Sequence, residues 1–476
     1  LNPQVVPTGD AVLFVLDDEG VFFHAPRQEL YVFNTAATYL WCCVEGRLAL
    51  PEIVEAYGEA FGLEPEQAHA QVADVLNQWW SLGYIDDPGV RPASEIPFVT
   101  ALGRLLANPT LRERFARSLT ETIDALGVRG PDRDALLALD PEQLEAEASR
   151  IGPRAGSRAR VAPGTDTFFS ALAGPGLALS EYAAQARLRR LGRPLAAERR
   201  YGLLGSTFRL RFDSLEAASR VHVALAHMAA ADEGDDDVHL DVVGGDHGYV
   251  VLDGALPVSH ARTLDELAPK VKALIRQLAL DREAFFLELH AGVVSDRESC
   301  VLLPGAPGSG KTTLTAGLVF SGFEYFSDEV ALLDEDDLRL RPVPLGLGIK
   351  PGAVDVLAEH FPGVRELSVH AREDGQRVRY LGLPAERMAP PASRRDARWL
   401  VFPRYGPGLE TALRPLSRPE ALRRLMHECM VLPRLLDEAR VEKLVAWMRR
   451  LDCYELPMSS LPRAIELVEG LCRSSS

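Results

Sequence analysis

The chain of 476 residues is 47% hydrophobic and 25% charged, the balance of a globular protein with length for two or three domains that each bury a core. A formal net charge of −16 opposes nonspecific binding to nucleic acid or anionic membrane, and no run of about 18 apolar residues offers a membrane-spanning helix. Six cysteines without C-x-x-C spacing argue against a structural zinc site or a disulfide framework and fit a reducing, cytoplasmic setting. The opening LNPQVVPTGD lacks the basic and apolar regions of a secretory signal, and a start at Leu1 rather than methionine suggests trimming. Of 52 basic residues only five are lysine, at 270, 272, 311, 350 and 443, so a lysine inside a motif carries extra weight. The acidic runs DEGDDD (232–237) and DEDD (334–337) read as solvated turns.

Residues 10–34 are dense in strand formers, and turn signals at Asp18-Glu19-Gly20 and Pro26-Arg27 predict a three-stranded meander. Asn34 stands where a helix N-cap would, before TAATYLWCCVEG, which ends at Gly46. Pro51 suits the first turn of a second helix with Ile53, Ala56, Tyr57 and Phe61 on one face, and a third carries Val72, Val75, Leu76 and Trp79 before Gly83. Strands followed by three short helices describe a small winged-helix-like domain within residues 1–90.

On the meander, the YVFNTAATYLW passage, the Gly46 break and the final QWWSLGYID, residues 5–87 resemble the PqqD-like family, which holds the leaders of ribosomally made, post-translationally modified peptides (RiPPs). The resemblance implies a precursor (leader) peptide added as an extra strand beside the third strand, Glu29 to Phe33, against a helix from Gln67 to Trp80. An unpaired strand edge offers free N–H and C=O groups for such a partner. A winged helix that binds DNA or merely packs on a neighbour is the competing reading, and the acidic charge disfavours DNA.

Residues 97–150 look helical throughout, with Leu111, Phe115, Leu119, Ile123 and Leu126 forming one apolar stripe. The stretch NPTLRERF…ALGVRGPDRDALLALD resembles the small helical subunit of aromatic-ring dioxygenases, a module that also serves as a leader in some precursor peptides, so either a leader-like element or a helical spacer is expected. Residues 151–199 read as a linker beginning IGPRAGSRARVAPG. From about residue 200 to 476 the pattern is mixed: STFRLRF, HLDVV and YVVLDG look like strands, and LDELAPKVKALIRQLALDREAFFLELHAGVV reads as a long helix entering a final α/β domain. The fold class expected is multidomain, α+β and α/β.

That last domain contains LLPGAPGSGKTTL (302–314), of the form G-x-x-x-x-G-K-T, between a short apolar strand, Cys300 to Leu303, and the helical LTAGLVFSG. With glycine at 38 of 476 positions, chance gives this pattern in roughly a few chains per thousand. Glycines at 305, 308 and 310 let the backbone curl so that amide N–H groups meet phosphate oxygens. Lys311 would reach the β and γ phosphates of ATP, Thr312 would complete an Mg2+ shell, and Ser309 and Thr313 would add phosphate contacts. Fifteen residues after Thr312, FEYFSDEVALL carries Ser327-Asp328-Glu329; a carboxylate there can bind metal or accept a hydroxyl proton, whereas Glu329 is equally readable as an outward charge.

The GAPGSGKTT loop, the SDE strand and the LHAGVV stretch before them resemble the HPr kinase family and its relatives, which share a fold with ATP-dependent phosphoenolpyruvate carboxykinases. The resemblance implies a P-loop kinase domain over residues 200–476, with His290 supporting an acidic base. The family carries two adjacent aspartates where this chain has Ser327-Asp328, which leaves Asp328 as base, metal ligand or both. Its HPr-binding C-terminal stretch is not recognisable, so the implied relatives are those associated with peptide-modification systems. Lys350 in GLGIKPGA and Arg404 in LVFPRYG are further candidates for steadying phosphate charge, with Arg377 and Arg379 in an expected flexible segment, GQRVRYLG. The combined expectation is a kinase that binds a precursor peptide by its leader and phosphorylates Ser or Thr. A nucleotide-gated chaperone without catalysis and a kinase for a small metabolite are the alternatives, and a homo-oligomer is left open.

Overall fold

The computed structural model describes residues 4–86, 88–89, 96–151, 195–230, 237–245, 248–254 and 256–473. The chain divides into two compact units, one of Leu1–Arg160 with Leu435–Arg449, the other of Val161–Arg434 with Arg450–Ser476. The expected linker lies outside the described residues except at residue 151 and from 195 onward, as does the 232–237 acidic run apart from Asp237. Among the described residues no helix is long and apolar enough to cross a membrane.

In the first unit, β1 (Ala11–Leu16), β2 (Glu19–His24) and β3 (Glu29–Phe33) form an antiparallel sheet in that order, so β3 is an edge strand. Three helices follow, α1 (Thr35–Glu45), α2 (Leu50–Phe61) and α3 (Pro65–Leu82). The Asn34 side chain accepts the Ala37 amide at 2.9 Å and so fixes the start of α1, while α3 ends on Gly83 in the left-handed conformation, φ 81°. An aromatic seam ties sheet to helices. Phe22 stacks on Phe33 at 4.7 Å, Phe33 on Trp79 at 5.5 Å, and Trp41 meets Phe22 edge-on at 4.8 Å. At the start of β3, Glu29 accepts from the Tyr84 hydroxyl at 2.8 Å and pairs with Arg27 at 3.0 Å.

Residues 97–150 are helical, as α4 (Phe98–Ala107), α5 (Pro109–Arg117), α6 (Leu119–Leu126), α7 (Gly130–Leu137) and α8 (Pro141–Ile151). They form neither a spacer nor a separate domain. Leu111, Phe115, Ile123 and Leu126 are buried in the same core as Trp41 and Trp79. Two buried amides fasten the join: Asn77 on α3 donates to Ala125 O at 2.7 Å, and Asn108 donates to Ser81 O at 2.9 Å. The helix Glu438–Met448, distant in sequence, packs on β1 and β2, whose residues Leu16, Val21 and Phe23 are buried. Its approach is held by Gln28, whose side-chain amide donates to Leu436 O at 3.0 Å and accepts from Leu436 N at 2.8 Å.

The second unit opens with β4 (Ala197–Leu203), β5 (Ser206–Phe212), α9 (Leu215–Leu225), β6 (Val238–Gly245), β7 (Gly248–Asp253) and β8 (Leu256–Ala261), the strands forming one sheet in chain order. Then comes α10 (Leu264–Leu280), which ends well short of the long helix expected from sequence. Phe285–Leu289 and Ala291–Ser295 are instead strands, β9 and β10. Every residue of β10 is buried, as in a strand covered on both faces rather than a helix with one apolar stripe. The remaining elements used below are β11 (Cys300–Pro304), α11 (Lys311–Ser321), β12 (Glu324–Ser327), β13 (Ala331–Asp334), β14 (Leu340–Arg341), β15 (Leu347–Ile349), β16 (Val369–Ala371), β17 (Arg377–Leu381), β18 (Ala397–Tyr405), β19 (Arg414–Pro415), β20 (Met430–Val431) and β21 (Asp452–Met458).

A six-stranded sheet runs β12-β10-β11-β18-β21-β19. β11, β18 and β21 are parallel, whereas β10 is antiparallel to both β11 and β12. The start of β10 and the ends of β11, β12, β18 and β21 therefore share one sheet edge, where open α/β sheets present their ligand sites. Arg377 and Arg379, expected in a flexible segment, lie on β17, the middle strand of the sheet β15-β17-β16. Alternation explains it, since Val378 and Tyr380 are both buried on one face.

Phe115→Ala removes a ring at 0% exposure and should cost about 3–5 kcal/mol. Because the core is shared, hydrogen exchange of the α1 and α3 amides should accelerate along with that of α5. Protection of α1 and α3 left unchanged would mean that α4–α8 are an independent body.

Candidate functional site

The loop between β11 and α11 lies at the shared sheet edge. Gly310 caps α11 with φ 88°, and a Cβ there would come within 2.4 Å of Met458 Cε and 3.1 Å of Tyr405 Cβ, so only glycine fits. Ser309 N donates to Ala306 O at 3.1 Å, and the Tyr405 amide donates to Ser309 O at 2.9 Å, which fastens the turn to β18. A second close approach was not singled out from sequence. Gly292 on β10 faces α11 so tightly that a Cβ would sit 2.2 Å from Thr315 Oγ1, and this contact seats the helix against the sheet.

Lys311 is buried, its Nζ 3.3 Å from Gly305 O and 3.5 Å from His290 O. Burial lowers its pKa, and the Asp328 carboxylate pulls it back up; Lys350, which caps the helix Pro351–Ala358, is near enough for its charge to be felt. Asp328 follows β12 and is 2% exposed. Its carboxyl is pushed up to about 6, first by burial and then by the charge of Glu329, against the pull of Lys311 and a hydrogen bond from Thr312. One carboxylate oxygen, Oδ1, is buried without a hydrogen-bond partner, as is the Ser309 hydroxyl. Asp328 and Thr312 thus offer the single carboxylate and hydroxyl that a magnesium ion takes from protein when phosphates and water complete its shell.

Glu329 is neither outward-facing nor free. Lys272, on α10, donates to its Oε1 at 2.7 Å and lies 4.8 Å from the centre of the Tyr380 ring. Burial pushes the Glu329 carboxyl up, but Lys272, Arg276 and Arg372 overcome this and hold it at about 2. Two of the five lysines, 272 and 311, are thereby drawn to these neighbouring acids. Lys272 was missed as a site residue, although lysine scarcity was the available signal.

His290 joins β9 to β10. Its amide donates to Cys429 O at 2.8 Å, and its Nδ1 lies 3.0 Å from Glu329 O. Since a carbonyl can only accept, Nδ1 carries the hydrogen. The surrounding protein, then the Lys311 charge, lower the imidazole pKa, so the neutral ring keeps its lone pair on Nε2. The ring is thus anchored to the Glu329 main chain rather than to the Asp328 carboxylate. Ser327 is fully buried, and its Oγ accepts the Val330 amide at 3.2 Å. Gly305, Gly308 and Thr313 lie in or directly after the loop as expected, whereas Arg404 at the end of β18 is paired with Glu455 at 3.2 Å.

The chain is thus a mixed α/β protein of more than one domain, whose first unit pairs a three-stranded sheet with helices. Residues 14–85 match the family described as Coenzyme PQQ synthesis protein D (PqqD), so this stretch is a PqqD domain, a RiPP recognition element. No curated protein matches the chain.

The adjacent carboxylates respond to pH in opposite senses. With a folded pKa near 6 against an ordinary 3.8, ionised Asp328 opposes folding fully above pH 6, and the opposition fades as the pH falls from 6 towards 3.8. Glu329, held at about 2 against 4.5, stabilises the fold above pH 4.5 and loses that contribution as the pH falls towards 2. Asp328→Asn should therefore raise the melting temperature at pH 7.5 without nucleotide, with the gain shrinking between pH 6 and 4; a gain independent of pH would contradict this assignment.

Proposed function

We propose that the chain is an ATP-dependent kinase that binds a ribosomal precursor peptide through its PqqD domain and phosphorylates a Ser or Thr side chain of that peptide. The observation that carries the reading is the meeting of Lys311, Thr312 and a buried, partly unpartnered Asp328 at the start of α11. When bound, ATP supplies the phosphoryl group and magnesium shields its charge. The first amides of α11 have no helical acceptors and suit phosphate oxygens, with Gly305, Gly308, Ser309 and Gly310 shaping the turn and Thr313 beside it. Lys311 contributes the point charge, Lys350 a second cation nearby. Asp328, held near 6, is able to take the acceptor's hydroxyl proton at neutral pH or to hold metal with Thr312.

The peptide would pair along β3, whose outer edge borders no other strand among the described residues and whose Tyr31 is 43% exposed. Tethering raises the local concentration of the acceptor, so a transfer site that reads little sequence still becomes selective.

Mixed with ATP, magnesium and a precursor peptide that it binds, the protein should add the mass of one phosphate to the peptide. Peptide that binds but keeps its mass would favour a nucleotide-gated chaperone, and phosphate found only on a small metabolite would favour the third reading. Lys311→Ala should reduce transfer by about a hundredfold or more while peptide affinity is unchanged. Tyr31→Ala should do the reverse, weakening peptide binding roughly tenfold in fluorescence titrations and leaving nucleotide binding intact.

A further inference from the structure

Among the described residues the exposed aromatic side chains are Tyr31, on the edge strand β3, and Tyr405, at 54% exposure. Tyr405 closes β18, where Ala397, Trp399 and the run Leu400 to Pro403 are all buried. Its backbone is fixed from two sides. Its own amide donates to Ser309 O at 2.9 Å, and the next amide, of Gly406, donates to Met458 O at 3.1 Å. The left-handed Gly310 lets the tyrosine lie against the loop, since a Cβ there would be 3.1 Å from Tyr405 Cβ. An aromatic ring on a rigid backbone, left in water beside the loop, is a preformed stacking surface without an occupant in the fold.

Its side of the loop matters. β11 has β10 and then β12 on one flank, bringing His290 and Asp328, and β18 on the other, bringing Tyr405. A triphosphate whose terminal group meets Lys311 and Asp328 extends its other end away from them. That end of a nucleotide is an aromatic base, whose π-face suits a tyrosine. Arg404, favoured from sequence along with Lys350 for steadying phosphate charge, is paired with Glu455 at 3.2 Å.

We propose that Tyr405 is the platform on which the base of the bound nucleoside triphosphate stacks. This inference rests on the nucleotide-binding reading of the loop and adds a base-dependent component to its affinity. Calorimetry on the full chain with magnesium compares ATP with inorganic tripolyphosphate, which has the phosphates and no base. Wild type should bind ATP more tightly than tripolyphosphate, by roughly tenfold. Tyr405→Ala should lose that preference and leave tripolyphosphate affinity unchanged, whereas Tyr405→Phe should keep it. A preference that survives in Tyr405→Ala overturns the inference while leaving the phosphate site standing. ATP and tripolyphosphate weakened equally would also overturn it, since the ring would then act only by packing against the loop at Gly310. Wild type that binds neither compound removes the nucleotide reading itself.

Discussion

Two adjacent carboxylates cannot both remain ionised in a closed loop unless cations hold them apart, and Lys272 and Lys311 divide that task. Lys272 takes Glu329 at 2.7 Å and draws its charge towards α10, while Lys311 faces Asp328 from the start of α11. The result is unequal. Glu329 is a settled ion, and Asp328 is poised near neutrality with an oxygen unspent. Neighbouring carboxylates that differ so far in acidity are able to take different roles. Here Glu329 holds the architecture, through Lys272 and through the carbonyl that anchors His290.

The antiparallel β10 is what makes this compact. A parallel neighbour of β11 would place its own start at the far side of the sheet. Running in reverse, β10 begins where β11 ends and carries His290 to the loop at a strand junction. The same reversal fits Gly292 under α11, so a single residue without a side chain sets the helix seat.

What could be read from the chain was local. The N-cap at Asn34, the stop at Gly83 and the loop from Gly305 to Lys311 each depend on a few consecutive residues, and the structure has each in that place. What escaped depended on distant partners. The stripe from Leu111 to Leu126 announces an apolar face but cannot say that α3 and the tryptophans of the first unit cover it. The end of α10 was obscured because FFLEL and AGVV are apolar runs too short for period to discriminate. Lys272 needed a partner 57 residues away, and the Glu438–Met448 helix needed a sheet more than 400 residues back.

The two exposed tyrosines put the remaining logic in physical terms. An exposed ring with a fixed backbone is kept in water at a cost that burial elsewhere in the fold would have avoided. Tyr31 stands on an unpaired edge and Tyr405 beside a loop with unpartnered polar atoms, so each apolar surface is coupled to unsatisfied hydrogen-bonding groups. Surfaces of that mixed character suit ligands that are themselves mixed: a peptide with backbone amides and side chains for the first, a phosphate chain ending in an aromatic base for the second.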